Sequence, residues 1–207
     1  MNRYLEKFII DNEDLIDDNK WDTIYAMLWS QFGQSTCGEF TKVLTEAGIF
    51  PKYTLTTIPY GFRYSDHSLT AETIPDNITE IKDEAYTWCT HLQVLTFDTT
   101  KCETIGENAF QFCTALTEVT IPSCVKSLRA GAFAGCSRLE SLKLEEGIQS
   151  IEGRAFLGTK ISEVELPRSL IMLGMSVFPP TCTVKIYRGS NIEQVVRSHR
   201  YKVEYID

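Results

Sequence analysis

The feature that most constrains this chain is an internal repeat of about 23 residues. Most copies contain an alanine followed by an aromatic residue, and a cysteine comes three residues after the ring in Ala109-Phe110 with Cys113 and in Ala132-Phe133 with Cys136. A unit of this length cannot bury its apolar residues alone, so successive copies must stack and share one core. Five copies begin 24, 23, 23 and 22 residues apart, at Ala85, Ala109, Ala132, Ala155 and Val177.

Other positions keep the same period, and we call the equivalent residues of successive copies a column. Most copies contain an L-x-x-L-x-L pattern, which predicts a short strand with its apolar residues inward and the intervening residues outward. Strands of neighbouring copies are therefore expected to pair in parallel. A degenerate first copy at Gly61-Phe62 stands 24 residues before Ala85-Tyr86. Two aliphatic columns are Ile78, Cys102, Val125, Ile148 and Leu170, and Ile81, Ile105, Leu128, Ile151 and Leu173.

The consensus I-P-x-x-V-x-x-I-x-x-x-A-F-x-x-C-x-x-L-x-x-V-x-I resembles the BspA-like leucine-rich repeats of bacteria and bacteriophages, over residues 56–187. The resemblance implies an α/β repeat fold, a leucine-rich-repeat solenoid of about five to six coils with short parallel strands, and a binding role. We predict the solenoid at 51–187, followed by a C-terminal capping helix and strand at 188–207. That tail resembles the usual end of the family, where the last strand covers the open edge of the stack.

Residues 1–50 do not repeat, and their apolar spacing predicts three helices. The second helix carries an unbroken apolar stripe. A capping box at 36–39 predicts the start of the third helix. Two interpretations are open: the segment is an α-helical cap on the first coil, with Trp21 and Trp29 against Phe62, or it is a docking module with its own partner.

The seven cysteines and three histidines form no catalytic or metal-binding pattern. Cys89, Cys113 and Cys136 share one column, where a thiol packs as a small hydrophobe, and the odd total argues against a disulfide framework. The histidines stand apart in the sequence, and there is no C-x-x-C, H-E-x-x-H, P-loop or G-x-S-x-G motif. We therefore predict a protein without catalytic residues, metal or cofactor.

The formal net charge of −8 argues against nucleic acid as a direct ligand, because such binding needs a basic surface. No stretch approaches the roughly 20 apolar residues of a membrane helix, and the N-terminus lacks the apolar core of a secretory signal. Free thiols favour a reducing compartment. These features predict a cytoplasmic protein without a membrane segment, in the host cytoplasm if a phage encodes it.

We assume that the strands line the concave face of the solenoid. The residue between the last two apolar residues of each strand then points outward, and these residues are the predicted partner-binding set. This face is polar and lacks the large aromatic anchors that usually carry affinity. The N-terminal helices and the coil edges near Tyr53, Tyr60 and Tyr64 are therefore a rival surface. The predicted partner-binding residues are Thr96, Thr120, Lys143, Glu165 and Lys185.

The sequence favours a non-enzymatic protein–protein interaction module of bacterial or phage origin. A first alternative is a phage-encoded inhibitor of a host nucleic-acid-binding defence protein that acts through its acidic surface. Competition by DNA or RNA and strong salt sensitivity would identify it. A second alternative is a surface adhesin, if the chain is exported by another route.

Overall fold

Four helices precede the repeats in the computed structural model, which describes residues 3–17, 20–46 and 55–206. The first predicted helix is divided in two at Asn12, whose side-chain amide donates to the Phe8 carbonyl (2.8 Å) and so competes with the helical backbone. The capping box is wrong, because the last of these helices already begins at Gln34. The helices are α1 (Arg3–Asp11), α2 (Glu13–Asp17), α3 (Trp21–Phe32) and α4 (Gln34–Glu46).

The repeats form two sets of parallel strands, with one member of each set in most coils. Residues 188–206 add a further helix, α5 (Glu193–Ser198), between the last two strands. In chain order the strands are β1 (Thr57–Ile58), β2 (Ala71–Ile74), β3 (Glu80–Ile81), β4 (Val94–Phe97), β5 (Thr104–Ile105), β6 (Glu118–Ile121), β7 (Ser127–Leu128), β8 (Ser141–Leu144), β9 (Ser150–Ile151), β10 (Glu163–Glu165), β11 (Met172–Leu173), β12 (Thr183–Tyr187) and β13 (Lys202–Ile206).

The two-residue strands make one continuous sheet in the order β1-β3-β5-β7-β9-β11. The longer strands, which carry the L-x-x-L-x-L pattern, make three separate parallel sheets: β2-β4, β6-β8 and β10-β12-β13. The predicted solenoid of short parallel strands after a helical region is confirmed. It has about seven turns rather than five to six, because β13 pairs with β12 over five residues and extends the stack.

The final strand covers one of the two strand sets at the end of the stack. It continues only the sheet that contains β12. Among the described strands, β11 remains the outer strand of the six-stranded sheet and pairs only with β9. The last coil is therefore covered on one side and open on the other.

A stack of aromatic rings fills the interior opposite the strands. The ring centroids of Tyr86, Phe110, Phe133, Phe156 and Phe178 are separated in turn by 4.9, 5.0, 5.4 and 5.7 Å, and the planes of neighbouring rings differ by at most 10°. All five residues are buried. The residues before these rings, four alanines and Val177, are buried as well, so the backbone of each coil lies close to the next.

The helical region packs against the first coil. The Tyr25 ring lies 6.0 Å from the Phe62 ring, and the Trp29 ring lies 5.3 Å from Tyr60. Phe62 in turn contacts Tyr86 edge to face at 5.9 Å, which links the helices to the aromatic stack. The predicted boundary between residues 50 and 51 lies outside the described residues.

We expect Tyr86→Phe to raise the free energy of unfolding by about 1 kcal/mol, because the buried Tyr86 hydroxyl has no hydrogen-bond partner in the described chain. Phenylalanine already fills this column in the next coils. Urea unfolding followed by circular dichroism measures the change. The matched control is Tyr25→Phe, which removes a buried hydroxyl that bonds the Thr41 Oγ1 atom at 2.5 Å and should be destabilising. A loss of stability in both variants would contradict the expectation.

Candidate interaction surface

The predicted partner-binding residues lie in one row on the outward side of the longer strands. Parallel pairing aligns Thr120 with Lys143 and Glu165 with Lys185. Thr96 aligns with Thr73 on β2. Their neighbours in the strands point inward and are mostly buried, as the two-residue period of a strand requires. We call Thr73, Thr96, Thr120, Lys143, Glu165 and Lys185 the outer strand row.

The charges of this row are largely paired with neighbours. The Lys185 ammonium lies 3.0 Å from a Glu163 carboxylate oxygen, and this hydrogen bond raises the pKa of Lys185. The Tyr187 hydroxyl donates to Glu165 at 2.6 Å, which raises the pKa of the tyrosine. Lys143 lies 3.3 Å from Glu145. The row is thus a mixed surface that carries both signs of charge.

A depression of about 330 Å³ interrupts the row between β8 and β10. The fourth copy of the repeat is one residue shorter than the third, and β8 and β10 do not pair. Leu142 is half-buried there, whereas its column neighbours Val119 and Val164 are buried. The lining residues are Leu142, Lys143, Leu144, Glu163, Val164, Glu165 and Lys185.

The structure therefore brings together three of the five predicted residues and separates the other two. Lys143, Glu165 and Lys185 meet at the depression. Thr120 lies on β6, on the far side of β8. Thr96 lies on β4, beyond the gap between β4 and β6, and its hydroxyl bonds the Thr73 hydroxyl at 2.8 Å.

A second depression, of about 360 Å³, lies between α4 and the loop of the first coil. It belongs to the predicted rival surface, since Tyr64 lines it, whereas Tyr60 packs on Trp29 and Tyr53 lies outside the described residues. Burial there raises the pKa of Asp66, but hydrogen bonds from Ser68 and the Arg63 guanidinium outweigh it, so the net pKa is lowered. The lining residues are Ser35, Gly38, Glu39, Lys42, Tyr64, Ser65, Asp66, His67 and Ser68.

Sequence reasoning missed an exposed aromatic pair on the coil edge. The Trp88 and Phe112 rings are stacked at 4.2 Å, and Trp88 is 41% exposed. Both residues have a left-handed backbone conformation, with φ of 64° and 58°. In the next two copies the same column holds Gly135 and Gly158. The signal in the sequence was an aromatic residue two positions after the Ala-aromatic pair, in a column that elsewhere favours glycine.

The cysteines occupy packing positions. Cys89, Cys113 and Cys136 are buried, and the thiols of Cys113 and Cys136 lie 3.3 and 3.2 Å from carbonyl oxygens of the preceding coil. The histidines are less isolated than the sequence predicted, because adjacent coils bring the His67 and His91 rings to 6.0 Å. Within the described residues, no three potential metal ligands cluster and no helix is long and apolar enough to cross a membrane.

Comparison with known proteins decides the family. The pattern described as the BspA type leucine-rich repeat region matches residues 56–185 in six copies. This chain belongs to the BspA-type leucine-rich-repeat family. The predicted family is thereby confirmed, and the match covers the same coils as the outer strand row.

Three solved structures share the fold of these leucine-rich repeats. The pneumococcal vaccine antigen PcpA is 22% identical, with a TM-score of 0.53 over 59% of this chain and 31% of its own. A leucine-rich-repeat protein of Bacteroides ovatus is 24% identical, with a TM-score of 0.53 over 66% of this chain and 33% of its own. The T. pallidum leucine-rich-repeat protein is 18% identical, with the same TM-score, over 66% and 86%.

The chain spans about a third of the length of PcpA and of the B. ovatus protein. A search of curated proteins found no relative. The likeness to solved structures therefore establishes the fold of the repeats. The leucine-rich-repeat fold is consistent with a protein-interaction module.

Proposed function

We propose that this leucine-rich-repeat protein is a non-enzymatic module that binds a protein partner through the outer strand row, in the cytoplasm of a bacterium or of a phage-infected host. The observation that carries the proposal is the depression between β8 and β10, where Lys143, Glu165 and Lys185 converge beside the half-buried Leu142. An apolar floor with charged walls of both signs suits a polar protein surface.

The break in the sheet gives this part of the row its specific shape. Within the pairs β2-β4 and β6-β8 the strands are in register and present a polar face. Between β8 and β10 the ladder is absent, so side chains from two sheets form opposite walls. Charges placed on such walls select a partner by complementarity more than they add raw affinity.

We also propose that the helical region acts mainly as a cap on the first coil. The aromatic contacts of Tyr25 with Phe62 and of Trp29 with Tyr60 support this role, because a stack of repeats needs its terminal core covered. Free cysteines, seven in the chain and mostly buried, fit a reducing compartment.

The test is affinity capture from bacterial lysate with the full chain and with Lys143→Glu combined with Lys185→Glu. We expect the double variant to lose about tenfold or more of its partner, because two reversed charges oppose the complementary surface. The matched control is Lys101→Glu, which breaks an exposed ion pair with Asp76 away from the row and should leave capture unchanged.

A further variant separates the row from the rival surface. Glu39→Lys combined with Lys42→Glu changes both charged walls that α4 contributes to the second depression. If this variant loses the partner while the row variant keeps it, binding through the outer strand row is wrong and the helical region is the docking module.

A further inference from the structure

The open side of the last coil carries an unusual concentration of exposed apolar side chains. Ile171, Met172 and Met175 are 59%, 48% and 66% exposed. They flank or belong to β11, the strand that ends the six-stranded sheet. Large exposed apolar residues gathered at one sheet edge mark an interaction site or an aggregation hazard.

Apart from Tyr60 in the first coil, the same columns are polar or small in the preceding coils. The positions of Ile171 and Met172 are filled in the coil before by Gln149 and Ser150, and that of Met175 by Gly153. The change to apolar side chains thus coincides with the coil whose edge is open. The columns are Thr56, Thr79, Glu103, Lys126 and Gln149, then Thr57, Glu80, Thr104, Ser127 and Ser150, then Tyr60, Asp83, Glu107, Ala130 and Gly153.

The opposite end of the stack shows how such a residue is accommodated. Tyr60 is the large aromatic member of the Met175 column in the first coil, and Trp29 of the helical region covers it at 5.3 Å. A large apolar side chain at the N-terminal end of this column is therefore covered by a neighbouring segment. Met175 at the C-terminal end borders a depression that His199, Arg200 and Tyr201 also line, yet it stays 66% exposed.

The backbone hydrogen bonds define what would cover the open edge. In each coil, two carbonyls accept N–H groups of the next coil. Lys126 O accepts from Gln149 N and Leu128 O from Glu152 N, each at 2.9 Å. One coil later, Gln149 O and Ile151 O accept from Ile171 N and Gly174 N, at 2.9 and 2.8 Å.

The equivalent carbonyls of the last coil are those of Ile171 and Leu173, and no hydrogen bond within the described chain reaches either oxygen. At Phe178 the C-terminal segment replaces the missing coil. The Phe178 N–H would donate to a carbonyl of a next coil, and it donates instead to the Tyr201 hydroxyl at 3.1 Å. The open acceptors are therefore confined to β11 and its flanks.

We infer that β11 is a docking edge for an extended segment of a protein partner, which adds a parallel strand and covers Ile171, Met172 and Met175. The segment donates two backbone N–H groups, three residues apart, to the carbonyls of Ile171 and Leu173. This is strand addition, in which main-chain hydrogen bonds supply affinity and side-chain contacts supply specificity. The inference rests on the proposed protein-binding function but uses a surface separate from the outer strand row.

The test is an NMR titration of the ¹⁵N-labelled full chain with a synthetic peptide of residues 147–156, the segment that fills this role toward β7. We expect saturable amide shifts confined to residues 171–176 and their neighbours. A peptide N-methylated at the positions of Gln149 and Glu152 lacks the two donors and should bind roughly tenfold more weakly or worse.

Variants of the protein keep the test independent of folding failure. Ile171→Gln with Met172→Ser and Met175→Ala installs residues that preceding coils already hold and keeps both acceptor carbonyls, so it should fold and bind the peptide several-fold more weakly because only the apolar contacts are lost. Val94→Ser, at a residue 52% exposed on the other strand set, and the Lys143/Lys185 variant should both bind the peptide normally. Binding lost only in the Lys143/Lys185 variant would contradict the inference.

Three other outcomes overturn the inference. These are no peptide binding, equal affinity for the N-methylated peptide, and a concentration-dependent shift of residues 171–176 without peptide. The last would identify a second copy of this chain as the occupant of the edge. None of these results affects the capture experiment on the outer strand row, so the two proposals fail separately.

Discussion

Replacing Phe133 with alanine is expected to lower the free energy of unfolding by about 3–5 kcal/mol. Its ring is fully buried and stacked between those of Phe110, at 5.0 Å, and Phe156, at 5.4 Å. The Phe133 N–H donates to the Ala155 carbonyl at 2.8 Å, so the backbone holds the coils at their spacing and the cavity cannot collapse. Urea unfolding monitored by circular dichroism gives the value.

Two controls show whether the cavity is the cause. Phe133→Leu keeps most of the volume and should lose about 1–1.5 kcal/mol. Phe32→Ala removes a ring that is 40% exposed and should lose less than Phe133→Ala. A loss below about 1 kcal/mol for Phe133→Ala would show that the stack does not hold neighbouring coils together.

The second large effect concerns thiol reactivity. Burial raises the pKa of Cys89, Cys102 and Cys136 to about 12, so these groups stay protonated at pH 8. Because the thiolate is the nucleophile, we expect each to react about 10³-fold more slowly with a disulfide reagent in the native chain than in urea. The released thiolate of the reagent is followed by absorbance.

Cys124 provides the internal control, because it is the half-buried member of the seven cysteines. Burial also raises its pKa, but several backbone hydrogen bonds and Lys126 oppose the shift. We expect one fast thiol in the native protein and its loss in Cys124→Ser. Several thiols reacting at the unfolded rate would mean that the coils open readily and that the packing assignment of the cysteine column is wrong.

The repeat made most of the fold predictable, because every column had to serve the same contacts in each coil. The buried alanines, the aromatic rings and Cys113 follow directly from the spacing. Glu72 did not: it stands in an inward column that Leu95 and Val119 fill with apolar side chains, and it is buried near Arg63, 3.9 Å away. The position of a residue in a column predicts whether it is buried. It does not predict a charged residue whose burial is made possible by an oppositely charged neighbour.

The outer strand row was predictable because side chains alternate along a strand. Its depression was not, since the missing pairing between β8 and β10 is visible only in the hydrogen bonds of the structure. The open edge at β11 could not be predicted from the sequence either. The sequence predicted that the last strand covers the stack, and only the topology shows that β13 continues one of the two strand sets.

The spacing of the aromatic stack also changes steadily along the chain. The separation of neighbouring ring centroids grows from 4.9 Å between Tyr86 and Phe110 to 5.7 Å between Phe156 and Phe178. The backbone spacing of the coils does not follow this change, because the N–H groups of Tyr86 and Phe156 donate to the next coil at 2.7 and 2.8 Å. Since each coil bonds only its two neighbours, whole units can be inserted or removed without changing the remaining contacts. The length of such a stack can therefore change in steps of one coil.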